Sequence, residues 1–219
     1  MTAPGPDDTV ADALARRVPA RRRGPAGLGL AEGLRELGAV DRAVYEAVAR
    51  TPTGALDGPV RRLSGAADRS RVWLAIAAVV AVAGGRRGRR AALEGVTAIA
   101  VTSAAVNLGV KPIARRRRPD RAQPARFEDR HAPMPRSASF PSGHAASAFA
   151  FAYAVGRHLP VLTVPIRLLA VAVAYSRVHT GVHYPGDVVI GSVAGAGTAA
   201  MVAAVADRAA RARASGRGG

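Results

Sequence analysis

The chain is 219 residues long, carries a formal net charge of +17 and contains no cysteine. Its length suits one domain with a buried core, and the lack of cysteine excludes disulfides and thiolate metal sites. The charge favours an anionic partner such as nucleic acid, a membrane surface or a phosphorylated substrate. Aromatic residues, at 4%, are too few for a base-stacking platform.

The N-terminal part of the chain is predicted to precede the main bundle. Residues 1–27 are rich in proline, glycine and arginine without apolar periodicity, which predicts a disordered basic tail without a signal peptide. Residues 28–67 are predicted to form two amphipathic helices, the first ending near Pro52. In that first helix, apolar residues recur at three- and four-residue spacing, at Leu30, Leu34, Leu37, Val40, Val44 and Val48. Both helices either lie in a membrane interface or pack on the bundle that follows.

Residues 68–208 are predicted to form a core of apolar helices. The longest uncharged stretch, residues 188–206, would span ~28 Å as a helix, close to the ~30 Å hydrocarbon thickness of a bilayer. Shorter uncharged stretches occur at 72–85, 145–156 and 168–175, and residues 91–110 carry one charge, Glu94. No segment alternates with period two, so the prediction is an all-α bundle that crosses the membrane several times. Residues 209–219 are predicted to form a flexible basic C-terminus.

Three polar segments interrupt the apolar helices. They are residues 111–119, which hold the only lysine of the chain, residues 141–144 and residues 176–187. Alternating the helices up and down places all three segments at one end of the bundle, opposite the basic turn predicted at residues 86–90. Convergence of polar groups from distant segments is typical of a functional site.

These segments contain the groups needed to cleave a phosphate monoester without a metal. Charge spreads over three oxygens in the transition state of phosphoryl transfer, so catalysis depends on positioning and fixed positive charge. The predicted phosphate ligands are the side chains of Lys111, Arg118 and Arg177, the hydroxyl of Ser142 and the backbone amide of Gly143. That amide would open a helix whose N-terminus attracts anions. The arginines at 115–117 are interpreted as an ordinary basic cluster beside a membrane helix.

Two histidines and an aspartate are predicted to carry the chemistry. His183 is the predicted nucleophile, which attacks phosphorus to form a phosphohistidine. Asp187, in the first turn of the last helix, would bind one imidazole nitrogen and leave the other free to attack. His144 would protonate the leaving alkoxide and later activate a water molecule. Neither a metal nor another cofactor is predicted.

The spacing of these residues defines three motifs. They are Lys111-x6-Arg118-Pro119, Pro141-Ser142-Gly143-His144 and Ser176-Arg177-x5-His183-x3-Asp187. In these three motifs the chain resembles the type 2 phosphatidic-acid phosphatase (PAP2) family, also called the lipid phosphate phosphatase family. The resemblance implies the helical core of vanadium haloperoxidases and acid phosphatases, and metal-independent cleavage of phosphomonoesters or diphosphates. Six-span members of that family have more hydrophobic N-terminal helices than residues 28–67 provide.

A metal site is one alternative, because His179, His183 and Asp187 would share one face of a continuous helix. Gly181 and Pro185 disfavour such a helix, and the chain lacks a His-Glu-x-x-His motif. The remaining histidines are interpreted as loop or surface residues, with His179 near the entrance of the site and His131 and His158 elsewhere.

The sequence therefore predicts an integral membrane phosphatase that acts on lipid phosphates or isoprenoid diphosphates. One alternative is a phosphatase of the same fold for soluble substrates, and another is a basic protein that binds nucleic acid or a membrane surface. Nucleic acid is not expected, because that alternative leaves the polar residues at the helix ends unexplained. The arginines at 86–90, 157, 167 and the C-terminus favour the cytoplasmic side, opposite the site. With five spans the basic N-terminal tail would then lie outside, which the same rule disfavours unless residues 28–67 add a crossing. The family resemblance implies a site on the exoplasmic face of the cell membrane. The lipid, the number of spans and the oligomeric state stay open.

Overall fold

The computed structural model describes residues 30–114, 116–121 and 130–215 of the chain. The predicted tail, residues 1–27, lies outside these described residues, as do residues 216–219 of the predicted C-terminus. The chain divides into two compact units, residues 1–54 and 55–219.

The described part of the first unit is one helix, α1, Leu30–Arg50. It confirms the predicted amphipathic helix and its end, since Pro52 follows and cannot continue an α-helix. The hydroxyl of Thr51 donates to the carbonyl oxygen of Ala47 at 2.8 Å, which closes the last turn.

Six helices make up the described part of the second unit. They are α2 (Asp57–Ala66), α3 (Arg71–Ala83), α4 (Gly85–Ala104, continued by Ala105–Val110 and Lys111–Ala114), α5 (Gly143–His158), α6 (Thr163–His179) and α7 (Pro185–Ser215). The described residues contain no strand, which confirms the all-α class. Residues 209–215, predicted as part of a flexible end, continue α7, because alanine and arginine are strong helix formers.

The turn between α3 and α4 differs from the prediction, which placed the arginines at 86–90 in it. The chain reverses at Gly84 and Gly85 instead, and the arginines form the first turns of α4. Gly85 has a φ of +57°, a left-handed conformation that suits glycine. Gly88 lies against the carbonyl oxygen of Val80, where a Cβ atom would clash. The absence of side chains at these glycines lets the two helices pack closely.

Helix α4 is continuous over 30 residues, from Gly85 to Ala114, and so ends one turn beyond the predicted end at Lys111. Its turns over Ala105–Val110 are wide π-type turns. Such widened turns occur mostly at functional sites. Here they come directly before Lys111.

Helix α5 is the central helix of the bundle and packs against α4, α6 and α7. Its Phe151 is 0% exposed, and the ring lies 5.5 Å from that of Trp73 between centroids. Small residues allow close approach on the opposite side, where Gly195 of α7 lies against the carbonyl oxygen of Ala146. One turn earlier, Gly191 of α7 lies against the backbone of Ser142. The beginning of α7 is thereby held beside the beginning of α5.

Three helices in the described part of the chain are long and apolar enough to cross a membrane. They are Gly85–Ala114, Pro160–His179 and Pro185–Ser215, with mean hydropathies of 1.5, 1.6 and 2.0 in their most apolar stretches. Large apolar side chains are exposed along them, among others Leu93, Val101, Leu108, Val164, Leu168, Val171, Val193, Met201 and Val205. Apolar surface of this extent suits contact with lipid, as expected of a multi-span membrane protein.

Gly195→Ala is expected to lower the melting temperature, because the added methyl group would clash with the Ala146 carbonyl oxygen between α5 and α7. Overpacking of this kind costs about 1–3 kcal/mol. Gly197→Ala makes the same change on the same helix, where nothing lies within 4 Å of the added atom. This control is expected to leave the melting temperature unchanged or slightly raised. Thermal unfolding of the purified protein in detergent compares the two variants, and equal melting temperatures would contradict this packing.

Candidate active site

His183 lies in a short loop between α6 and α7, where the backbone folds back on itself. Gly181 has a φ of +69°, which ends the helical path. The amides of Val182 and His183 both donate to the carbonyl oxygen of Arg177 at 3.1 Å. The predicted break at Gly181 is therefore confirmed, and His179 and His183 do not share the face of a continuous helix. The hydrogen bonds to Arg177 link the predicted nucleophile directly to a predicted phosphate ligand.

The carboxylate of Asp187 is fully buried and has polar partners on both oxygens. Its Oδ2 accepts hydrogen bonds from the amide of Tyr184 at 2.9 Å and from the hydroxyl of Ser139, and lies 3.5 Å from His183 Nδ1. Its Oδ1 accepts from Arg116 at 2.9 Å. Because a buried carboxylate needs such partners, these contacts hold the carboxylate beside Nδ1 of the imidazole.

Two of these partners, Ser139 and Arg116, are absent from the sequence predictions. Arg116 corrects the interpretation of the arginines at 115–117 as an ordinary basic cluster, since its guanidinium pairs with the buried Asp187. Ser139 also lies 3.4 Å from His183 Nδ1, so one hydroxyl contacts both members of the pair. No motif of the sequence marked either residue.

The other nitrogen of His183 faces a fixed positive charge. His183 Nε2 lies 3.2 Å from a guanidinium nitrogen of Arg118. Arg118 is held by the carbonyl oxygens of Ser137 at 2.9 Å and Val182 at 2.7 Å. Burial, with the charges of Arg118 and Arg177, lowers the pKa of His183 to about 4 against the opposing effect of Asp187. The imidazole is therefore neutral near pH 7, and one of its ring nitrogens keeps a lone pair.

Two further cations complete a positively charged cradle. Lys111 Nζ donates to the hydroxyl of Ser137 at 3.3 Å and would lie 3.7 Å from a Cβ atom added at Gly143. Arg177 is 2% exposed, and its guanidinium donates to the carbonyl oxygen and the hydroxyl of Ser64. Within the described part of the chain, Arg177 Nε is buried without a hydrogen-bond partner. Lys111 and Arg118 both donate to the Ser137 hydroxyl at 3.3 Å, and the charges of Arg118 and Arg177 both act on Lys111.

The beginning of α5 supplies the next part of the site. Ser142 is the N-cap, and its hydroxyl oxygen accepts from the amide of Ala145 at 3.5 Å, which confirms the predicted cap. The hydroxyl hydrogen remains a donor for an anion. The Ser142 amide donates to the carbonyl oxygen of Asp187 at 2.9 Å, which joins the beginnings of α5 and α7. Gly143 then opens the helix beside Lys111.

His144 is paired with a carboxylate that the sequence analysis missed. Its Nε2 lies 2.8 Å from Oδ1 of Asp68, in the 3-10 turn Asp68–Ser70 before α3. The same Asp68 oxygen lies 3.7 Å from Arg177. Burial, followed by the charge of Arg177, lowers the pKa of His144 to about 4, and the hydrogen bond to Asp68 opposes this shift.

The structure brings all the predicted site residues to one end of the second unit, at the ends of α4, α5, α6 and α7. They are Lys111, Arg118, Ser142, Gly143, His144, Arg177, His183 and Asp187. The contacts above connect them to one another directly or through one intervening residue. The arrangement can hold an anion among cations while presenting one neutral imidazole nitrogen to it.

His179 was wrongly placed at the entrance of the site. It is 2% exposed at the end of α6, and its Nε2 lies 2.9 Å from Asp57 Oδ1. The same oxygen of Asp57 accepts from the buried Arg130 at 3.0 Å. His179 thus belongs to an ionic cluster that ties α2 to α6, and it does not converge with His183 and Asp187 on a shared metal position.

Sequence comparison relates the chain to a known family and to named phosphatases. Residues 91–211 match the family described as the PAP2 superfamily. The chain is 39% identical over 145 residues to decaprenylphosphoryl-5-phosphoribose phosphatase of Mycobacterium tuberculosis, covering 64% of this chain and 75% of that protein. It is 37% identical over 153 residues to the protein of the same name from Mycolicibacterium smegmatis, covering 68% and 77%.

Two solved structures share the fold. The transmembrane PAP2-type phosphatidylglycerolphosphate phosphatase of Bacillus subtilis superposes with a TM-score of 0.61 at 23% identity, covering 78% of this chain and 87% of that one. LpxE of Aquifex aeolicus also has a TM-score of 0.61, at 20% identity, covering 73% and 92%. Both likenesses concern the helical architecture.

Ser139→Ala is expected to lower kcat on a phosphate ester by about 10- to 100-fold, since losing a hydrogen bond to a buried charged group costs about 1–3 kcal/mol. KM should change little, because the hydroxyl contacts Asp187 and His183 and not the cations. Ser192→Ala is the control, because the Ser192 hydroxyl bonds only to the Val188 carbonyl oxygen of its own helix. Steady-state kinetics checks both variants, and wild-type kcat in Ser139→Ala would show that the contact does not matter.

Proposed function

The chain belongs to the PAP2 superfamily and is a phosphatase, and we propose that it hydrolyses a phosphate monoester on a lipid-linked substrate through a phosphohistidine at His183. One observation carries this proposal. His183 Nε2 lies 3.2 Å from Arg118, while Nδ1 of the same ring faces the buried Asp187. The nitrogen left for attack thus lies beside the positive charge that would hold a phosphate.

In the first step of the proposed reaction, the lone pair of His183 Nε2 attacks phosphorus. A P–N bond forms while the bond from phosphorus to the leaving oxygen breaks. The proton on Nδ1 stays directed toward Asp187, which stabilises the positive charge that develops on the ring. Lys111, Arg118 and Arg177 balance the negative charge of the phosphoryl oxygens.

His144 handles the proton in both steps. As an imidazolium it donates a proton to the leaving alkoxide, which departs as an alcohol. The neutral imidazole then accepts a proton from water, whose oxygen attacks phosphorus and breaks the P–N bond. Inorganic phosphate leaves, and both histidines return to their starting states. The low pKa of His144 in the free site rises once a phosphate dianion lies beside it, since a negative charge favours the protonated form.

The proposed substrate is a sugar phosphate carried by a polyprenyl phosphate, with the sugar phosphomonoester as the bond cleaved. The support is the 37–39% identity to phosphatases named for decaprenylphosphoryl-5-phosphoribose. A membrane helix beginning at the site is the second support, because a polyprenyl tail would remain in lipid while the sugar phosphate reached the cations.

A panel of substrates tests the proposal with purified protein in detergent, by release of inorganic phosphate. The expected order of kcat/KM places the polyprenyl-linked pentose 5-phosphate above phosphatidylglycerol phosphate, phosphatidic acid and polyprenyl diphosphate. The His183→Ala variant is expected to release no inorganic phosphate and to form no acid-labile phosphoenzyme, because the proposed nucleophile is gone. Faster turnover of another lipid would overturn the substrate, and turnover by His183→Ala would overturn the mechanism.

We also propose that the site faces the exoplasmic side of the membrane. Exposed arginines lie at the opposite end of the bundle, at the beginning of α4 and in the last turns of α7, among them Arg86, Arg87, Arg89, Arg90, Arg211 and Arg213. Clusters of exposed arginine beside membrane helices favour the cytoplasm. Arg157 lies at the same end but is paired with Glu94 and Asp207. Because these carboxylates offset its charge, it contributes less to the preference for the cytoplasmic side.

Single cysteines test this orientation, because the natural chain contains none. Arg136→Cys places a thiol at an exposed position beside Ser137 of the site, and a membrane-impermeant maleimide added to intact cells is expected to label it. Arg213→Cys, in the last turn of α7, is expected to react only after the cells are permeabilised. The reverse pattern would place the site in the cytoplasm.

A further inference from the structure

Asp68 lies outside the three motifs yet contacts two residues of the site. Its Oδ1 is 2.8 Å from His144 Nε2 and 3.7 Å from Arg177. Asp68 and His144 are separated by 76 residues in sequence, so folding alone brings them together. The site thus contains two carboxylate–imidazole pairs, Asp187 with His183 and Asp68 with His144.

We propose that Asp68 is a positioning residue that holds His144 as the acid for the leaving group, an inference that rests on the proposed function. Because Nε2 is bonded to Asp68, Nδ1 would carry the proton exchanged with substrate or water. When His144 is an imidazolium, both nitrogens carry protons, and the carboxylate stabilises that form. When Nδ1 gives its proton to the leaving oxygen, the neutral ring keeps Nε2–H directed at Asp68.

The chain holds Asp68 in a strained turn. Arg69 and Ser70 follow it with φ angles of +53° and +59°, in the left-handed region that side chains with a Cβ rarely adopt. The amide of Ser70 donates to the carbonyl oxygen of the buried Ala67 at 3.2 Å, which closes the turn. Strain of this kind persists where surrounding contacts fix the backbone, and it clusters at functional sites.

The two partners differ in exposure, which favours an orienting role over a stabilising one. The side chain of Asp68 is 52% exposed, and that of His144 is 23% exposed. Exposed ion pairs add little to stability. A half-exposed carboxylate at the rim can nevertheless fix the ring of a more buried histidine and select which nitrogen faces inward.

Asp68 opposes the positive and neighbouring groups that disfavour protonation of His144. Arg177 and His183 act on the ring from α6 and the following loop, and both disfavour the imidazolium. Asp68, from the turn before α3, is the group that opposes them in the free site. Removing its charge should therefore impair the step in which His144 must carry an extra proton.

Asp68→Asn tests the proposal, because it keeps the shape of the side chain and removes its charge. We expect kcat for an alkyl phosphate, whose leaving group needs a proton, to fall about 10- to 100-fold. That is part of the ~100- to 10,000-fold that general-acid catalysis contributes, because His144 itself remains. The pre-steady-state release of 4-nitrophenol from 4-nitrophenyl phosphate should slow less than threefold, because this leaving group needs no proton and its release precedes hydrolysis of the phosphoenzyme. The alkaline limb of the pH profile for the alkyl ester should also move to lower pH, since without the carboxylate the acid loses its proton sooner.

Asp207→Asn is the matched control, a carboxylate paired with Arg157 at the opposite end of the bundle. This variant should react with both substrates at the wild-type rates. If Asp68→Asn lowered the rates with both esters by the same factor, Asp68 would have only a structural role. A lower KM with unchanged kcat would instead make Asp68 a competitor of phosphate for Arg177. Either result would overturn the proposal.

The proposed function can fail separately. Asp68→Asn should still form a phosphohistidine from 4-nitrophenyl phosphate, because His183 is intact. Activity in His183→Ala would refute the mechanism whatever Asp68 does. Asp68→Glu, which keeps the charge, is expected to recover part of the alkyl phosphate turnover, and no recovery would count against a role for the carboxylate.

Discussion

The site depends on the burial of one carboxylate, that of Asp187. The groups that bond to Asp187 come from distant parts of the chain. The Ser139 hydroxyl and the Arg116 guanidinium donate to its carboxylate, and the Ser142 amide donates to its backbone carbonyl oxygen. Leaving a buried charge unpaired costs several kcal/mol. Packing of α7 against α5 therefore goes together with the placement of the loop before α5 and of the first polar segment around this carboxylate. Ser139 and Asp187 also contact His183 Nδ1, so the packing of the bundle and the geometry of the candidate site depend on shared groups.

A second constraint is the gathering of like charges. The like charges of Lys111, Arg118 and Arg177 act on one another, which by itself disfavours the folded state. The chain holds the two arginines largely through carbonyl and hydroxyl oxygens, including those of Ser137 and Ser64. Such oxygens satisfy the N–H groups without cancelling their charge. The cradle consequently keeps its net positive charge for a phosphate dianion, and the half-exposed Asp68 is the carboxylate that approaches Arg177.

The helices and the motif residues were predictable because they depend on local patterns. Uncharged stretches of helical length predicted the bundle, and the helix breakers Gly181 and Pro185 predicted the loop that holds His183. The partners of the motif residues were not predictable, since pairs such as Arg116 with Asp187 and Asp68 with His144 lie 71 and 76 residues apart. Local periodicity says nothing about such distances.

Two misplaced features show where the local signals failed. His179 looked like a loop residue because glycine and proline follow it, yet a carboxylate 122 residues earlier, Asp57, holds it in the interior. The arginines at 86–90 looked like a turn because they are charged. The available signal was the pair Gly84 and Gly85 before them, since a reversal between close helices needs a positive φ and small residues.

The position of the site in the bundle links its chemistry to lipid. Asp187 stands in the first turn of α7, and the first exposed apolar side chain of that helix, Val189, which is 58% exposed, follows two residues later. Two residues of α-helix rise ~3 Å, so the buried carboxylate and the apolar outer surface lie within one turn of each other. A phosphate held beside His183, as proposed, would then lie close to the level at which the exposed apolar surface begins. A substrate with a long apolar tail can occupy both regions at once, whereas a small soluble phosphate ester uses only the cradle. This proximity favours a lipid-linked substrate over a soluble one, because the tail supplies binding energy that the cations alone do not.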